Sequence, residues 1–255
     1  MEFFDAILSL EGLTYFLILS LLEIVLGIDN IIFISIVSDG LPAIKQRSAR
    51  NIGLSMALIV RLMLLAGVSW IMQFTKPILP PTGIIALDKF TLQSLVLLLG
   101  GLFLIYKSTI EMHRAVSKTD KIKRIKNPTT LRNIIIQIIL IDIVFSFDSI
   151  ITAIGMTNDL QRDTGHNPLI IIYSAVVVSM FVMMLFAKSI SDFIQKRPTI
   201  KMLALGFLVT IGVILVAEAF GQHIPKGYIY FAMVYALIVE FLNIRMRKNN
   251  GSREL

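Results

Sequence analysis

The chain contains no cysteine, one tryptophan, three histidines and only 16% charged residues in 255. Without cysteine there are no disulfides, thiolate metal sites or cysteine nucleophiles. With so few charges, against about 25% in a typical soluble domain, a water-soluble globular enzyme is excluded, as are disordered and fibrous classes. What fills the space is apolar: 56% of residues are hydrophobic and the mean hydropathy is +0.80. The net charge of +7 would suggest nucleic acid in a soluble protein. Here the basic residues sit between apolar blocks, where they report orientation, and no nucleic-acid partner is expected.

The apolar blocks run approximately over 13–37, 52–74, 92–112, 134–156, 169–190, 202–220 and 228–244. Each is long enough for a bilayer core that takes about 20 helical residues to cross. The fold class read from this pattern is all-α: a polytopic membrane protein with seven transmembrane helices in one domain, 1–255. The first block carries Glu23 and Asp29 and follows no basic segment, so it is expected to be retained and not cleaved as a signal peptide.

Eighteen Lys and Arg fall in the joins after helices one, three and five or in the C-terminal tail, and four fall on the other side. The positive-inside rule then places the N-terminus outside and the C-terminus in the cytoplasm, in a bacterial inner or plasma membrane. Tyr15, Trp70, Tyr173, Tyr228 and Tyr230 near outer helix ends, and Tyr106 near an inner one, suit an interfacial aromatic belt. The basic join around 113–132 reads as a solvated loop beside lipid headgroups.

Helix one contains EIVLGIDNII, from Glu23, and helix four contains DIVFSFDSII, from Asp142; at a shift of 119 residues five of ten positions are identical. The informative part is acid, five residues, acid, then a small polar group. It pairs Glu23 with Asp142, Asp29 with Asp148 and Asn30 with Ser149. Copies that begin three helices apart cross the membrane in opposite directions, the inverted repeat common in secondary transporters. The repeat units are about 13–112 and 134–220, with an extra helix at 228–244. Gly101 and Gly212 match as well, at a different shift.

All four acids lie within about 6 Å of their helix centres at 1.5 Å per residue. Antiparallel helices should set Glu23 level with Asp148, and Asp29 level with Asp142. Four acids facing lipid would cost on the order of 10 kcal/mol. They must therefore face a cavity, a cation, protons or one another. Six residues of regular helix separate the acids of each motif by about 240° and roughly 9 Å. Either a local break at Gly27 and Ser146 turns the second acid inward, or the acids pair across the two helices.

The donors are all oxygens: Glu23, Asp29, Asp142, Asp148, the Asn30 amide and the Ser149 hydroxyl. Such sites suit Mg²⁺, Mn²⁺ or Ca²⁺ rather than zinc or copper. Arg61, inside helix two, reads as a counter-charge to these acids, either gating or structural. Met180, Met183 and Met184 read as packing, and Lys107 with Glu111 as a surface pair at helical spacing.

Glu23, Leu26, Asp29 and Asn30, with Asp142, Phe145, Ser146, Asp148 and Ser149, resemble the paired signatures of the TerC family of bacterial integral membrane proteins. The likeness extends to KMLALGF from Lys201 and PKGYIYFAM from Pro225, and is closest to the short YgdQ-like branch. It implies a seven-helix fold related to the lysine exporter superfamily, and manganese export in several members. Other members are associated with tellurite resistance or alkaline response. Longer relatives add cytoplasmic CBS-type domains, for which this chain has no room. The resemblance implies Glu23, Asp29, Asp142 and Asp148 as the metal-site acids.

The leading expectation is export of a divalent cation, manganese first, by alternating access, with proton antiport as the natural coupling. No cofactor is expected; Mn²⁺ is cargo. The alternative is a non-transporting membrane protein of tellurite or stress resistance. An intramembrane enzyme is disfavoured because HExxH, GxSxG and GxGD signatures are lacking.

Overall fold

Each apolar block becomes a helix whose ends satisfy the backbone groups that a helix leaves open. The computed structural model describes residues 9–67, 90–117, 130–164, 168–222 and 224–251. Its helices are α1 (Leu10–Ser38), α2 (Ala43–Ala66), α3 (Leu92–Val116), α4 (Leu131–Thr164), α5 (Pro168–Gln195), α6 (Pro198–Ala219) and α7 (Lys226–Gly251). Ser9 caps α1 by accepting a 3.0 Å hydrogen bond from the Gly12 N–H, and Thr91 caps α3 in the same way through Ser94. Pro198 opens α6, where a missing N–H is harmless. Gly221 ends α6 with φ 78°, and the Gly221 and Gln222 amides return to the carbonyls of Glu218 and Ala217. That is the left-handed glycine cap in which a β-carbon is penalised.

All seven helices are long and apolar enough to cross a membrane. Helix ends differ from the hydropathy pattern where polar residues continue a turn into the interface. α2 begins at Ala43, so Lys45, Arg47 and Arg50 belong to the helix rather than to a join. Arg50 is buried there and donates to Ser191 Oγ of α5 at 2.9 Å. α4 likewise continues through Arg162 to Thr164. Trp70, Lys76, Lys89, His166, His223, Arg253 and most of the basic join after helix three lie outside the described residues.

The inverted repeat appears in the packing. α1 packs on α5 as α4 packs on α2; α1 meets α2 as α4 meets α5; α3 meets α4 as α6 meets α1. The pairs α1 with α4, α2 with α5 and α3 with α6 each map onto themselves, whereas the α5 and α6 contact has no comparable α2 and α3 counterpart. Apart from that contact, exchanging the two three-helix units reproduces the neighbours of each helix, as expected of a pseudo-two-fold axis. α3 and α6 cross most closely at Gly101 and Gly212, where a β-carbon on Gly101 would lie 2.6 Å from the Gly212 carbonyl oxygen. α7 stands outside this symmetry, packing chiefly on α6, and is the least buried span.

Candidate functional site

α1 and α4 are continuous helices through Gly27 and Ser146. The break considered at these positions does not occur, and the acids pair across helices instead. Regular helix places Glu23, Gly27 and Asn30 on one face of α1, at i, i+4 and i+7. Asp142, Ser146 and Ser149 repeat that spacing on α4. The two faces meet, and Arg61 of α2 reaches between them.

Arg61 is 2% exposed and fully engaged. Its Nη1 donates to Glu23 Oε1, its Nη2 to Asp142 Oδ1 at 2.9 Å and its Nε to Ser146 Oγ at 2.9 Å. The Ser146 hydroxyl in turn donates to Asp142 Oδ2 at 3.2 Å, and the Asn30 amide nitrogen donates to Asp142 Oδ1 at 3.2 Å. One acid from each repeat thus shares one guanidinium, a planar fork suited to carboxylates. With all three ionised, the cluster keeps one net negative charge. Asn30 Oδ1 is buried beside it and accepts no hydrogen bond among the described residues. An oxygen acceptor left open on an amide that touches the Asp142 carboxylate is a donor a hard cation can use.

Asp29, one position along α1 from Asn30, looks elsewhere. It is buried and lines a cavity of about 30 Å³ together with Leu26, Phe145, Ser149, Ile211 and Tyr230. A single water needs roughly 10–15 Å³ by the same measure, so the cavity admits a water or a bare ion. Ser149 faces this cavity while its hydroxyl donates to the Ser146 carbonyl at 3.3 Å. The Asp148 backbone lies in α4, but its side chain lies outside the described residues.

The expected meeting of four carboxylates at one point is thus revised. Among the described residues no three His, Asp or Glu side chains form a metal-holding group. The reason is the 240° between positions six apart on an unbroken helix: Glu23 and Asp142 converge, whereas Asp29 is turned to the α6 and α7 side. The level predicted for Asp142 agrees with its contact to Asn30, next to Asp29. Ser146, one of the two positions at which the sequence leaves a break open as an alternative, instead accepts from Arg61 and donates to Asp142; its i+4 spacing from Asp142 is the signal that could have found it. Tyr230 carries no such signal, because α7 lies outside the repeat. Met180 and Met183 are core residues; Glu111 takes Lys107 at 3.6 Å and Arg114 at 2.9 Å, as helical spacing suggests, but it is buried rather than at the surface.

Comparison with known proteins places this arrangement. The model of the integral membrane protein TerC family matches residues 8–254. The chain belongs to the TerC family. It is 44% identical over 232 residues to the UPF0053 inner membrane protein YgdQ of Escherichia coli K12, covering 91% of this chain and 92% of that one. A UPF0053 protein of Haemophilus influenzae is 43% identical over 246 residues, 96% and 98% of the two chains. The inner membrane protein YoaE of Escherichia coli K12 is 42% identical over 234 residues, which is 91% of this chain but 43% of YoaE. No solved structure matches. This TerC-family chain is therefore a helical membrane protein whose relatives are inner membrane proteins, and it corresponds to nearly the full length of YgdQ.

Proposed function

We propose that this TerC-family protein exports a divalent metal cation, manganese foremost, across the inner membrane by alternating access between its two repeats. The observation that carries the reading is the Glu23, Arg61 and Asp142 cluster: one buried acid from each repeat, held at the repeat interface inside the membrane span. Intramembrane acids that face the protein interior mark ion pathways, because their burial is otherwise unfavourable. Asn30 and Ser149 supply neutral oxygens, Asp29 extends the acidic path toward the cavity beside Tyr230, and the repeat pattern adds Asp148 to the proposed set. Oxygen donors without His or Cys favour hard or borderline dications. Manganese export by members of the resembling family supports the choice among them.

In this reading the N-terminus lies outside and the C-terminus in the cytoplasm, and protons returning to the acids balance the exported charge. The protein is not an enzyme and carries no cofactor.

The test is flux of Mn²⁺, Mg²⁺, Ca²⁺ and Zn²⁺ in proteoliposomes of the full chain, with pH followed on both sides, for wild type, Asp29→Asn and Asp142→Asn. Manganese flux with opposite proton movement is expected in wild type and its loss in both variants. Equal flux in all three proteins would remove the acids from the site. No flux of any ion in wild type would point to the non-transporting stress-resistance role.

A further inference from the structure

We propose that Arg61 is a tethered stand-in for the transported cation. Its guanidinium holds the Glu23 and Asp142 carboxylates when cargo does not, and cargo binds by displacing it. This deepens, and rests on, the assignment of these acids to a cation site.

The pseudo-symmetry of the fold separates this role from a purely structural one. Arg61 of α2 reaches Ser146 of α4. Ser146 corresponds to Gly27 of α1, and α2 corresponds to α5. The equivalent contact is present: the Met183 thioether of α5 packs directly on Gly27. Met183 is buried, so the fold fills this position once with an uncharged thioether and once with a guanidinium. Packing alone does not demand a cation there. What singles out the Arg61 side is its simultaneous reach to an acid of each repeat.

Charge explains why a stand-in helps. Two carboxylates facing one another in a low-dielectric interior repel strongly. One guanidinium relieves most of that repulsion and leaves one negative charge, so the cluster stays attractive to a dication. At equal distance a dication interacts with the two carboxylates about twice as strongly as the single charge of Arg61. The tether keeps the guanidinium at high effective concentration, so the acids are covered again once cargo leaves. The cluster also offers something the guanidinium leaves unused: Asn30 Oδ1, buried and without a hydrogen-bond partner among the described residues. A spherical cation can take that oxygen together with the adjoining Asp142 carboxylate, whereas Arg61 spends its third nitrogen on Ser146.

The decisive variant is Arg61→Met, which copies what the fold already accepts at Met183. Mn²⁺ binding to the purified full chain in detergent, at alkaline pH, is measured by titration calorimetry, and Mn²⁺ flux in proteoliposomes. If Arg61 covers the site in more than nine molecules in ten, removing it tightens apparent binding by about tenfold or more. Flux should fall at the same time, because the uncovered acids impede the return step. Tighter binding with slower flux is a combination that a structural ion pair does not produce. Weaker or unchanged binding by folded Arg61→Met overturns the proposal.

Should Arg61→Met fail to fold, Arg61→Lys decides. A lysine is a weaker, single-point competitor, so binding should tighten by a few-fold, roughly 1 kcal/mol or less, with flux partly kept. Loss of binding there overturns it. If wild type moves no metal at all, the exporter reading fails first and takes this inference with it; if wild type moves metal but neither variant binds more tightly, only the stand-in role is lost.

Discussion

At the scale of single residues, the central fact is how few groups hold the site. Asp142 accepts from Arg61, Asn30 and Ser146, which leaves Asn30 as the member with spare capacity. Asn30→Ala removes a donor to Asp142 and the open Oδ1 together. Manganese affinity should fall by about 10- to 100-fold, the usual effect of losing a group that orients or supplements a metal ligand, as read by titration of the detergent-solubilised protein. Much of this site is legible in the amino-acid sequence alone. Repetition and depth pick out Glu23, Asp142 and Asn30 without reference to contacts. The division of labour between Asp29 and Glu23 is not legible there. It depends on whether the helix breaks at Gly27, and the same glycine serves equally well to admit the Met183 thioether.

At the scale of elements, the repeat is made real by helix pairs, and their closest crossing is glycine on glycine. Gly212→Val should drive a side chain into Ile105 and the Gly101 carbonyl, since a β-carbon at Gly212 already lies 2.8 Å from both. Overpacking of this kind destabilises by about 1–3 kcal/mol. Gly206, on the same helix, has nothing within 4 Å of its β-carbon position. Gly206→Ala should instead raise stability, by up to about 1 kcal/mol from helix propensity. Thermal unfolding in detergent distinguishes the two, and matched shifts in the same direction would contradict the crossing described. The number and order of the helices are readable from sequence because hydrophobic length is a strong signal. Their ends are not: α2 and α4 run past the apolar block wherever Lys, Arg and polar residues extend a helix into the interface.

At the scale of the whole molecule, basic residues of several helices gather at one end of the bundle. Where α1 ends and α6 begins, Asp39 pairs with Lys201, and Arg50 is anchored to Ser191 nearby in the same basic layer. With no native cysteine in the chain, single introduced cysteines report sidedness cleanly. In intact spheroplasts a membrane-impermeant thiol reagent should label Ser9→Cys and Thr91→Cys but spare Ser48→Cys and Ser117→Cys; the reverse pattern would invert the proposed orientation. The unbroken course of α1 and α4 has a consequence for how such a protein changes over time. In transporters with interrupted helices, part of the coordination belongs to the main chain and persists through most substitutions. Here the helix hydrogen bonds engage the main-chain oxygens along the span, so charge, reach and hardness at the cluster reside in side chains alone. On the proposed exporter reading, single codon changes at Asn30, Ser146 or Ser149 would then be enough to alter which ion is preferred, and lineages sharing this scaffold would be free to diverge in cargo while leaving the backbone untouched.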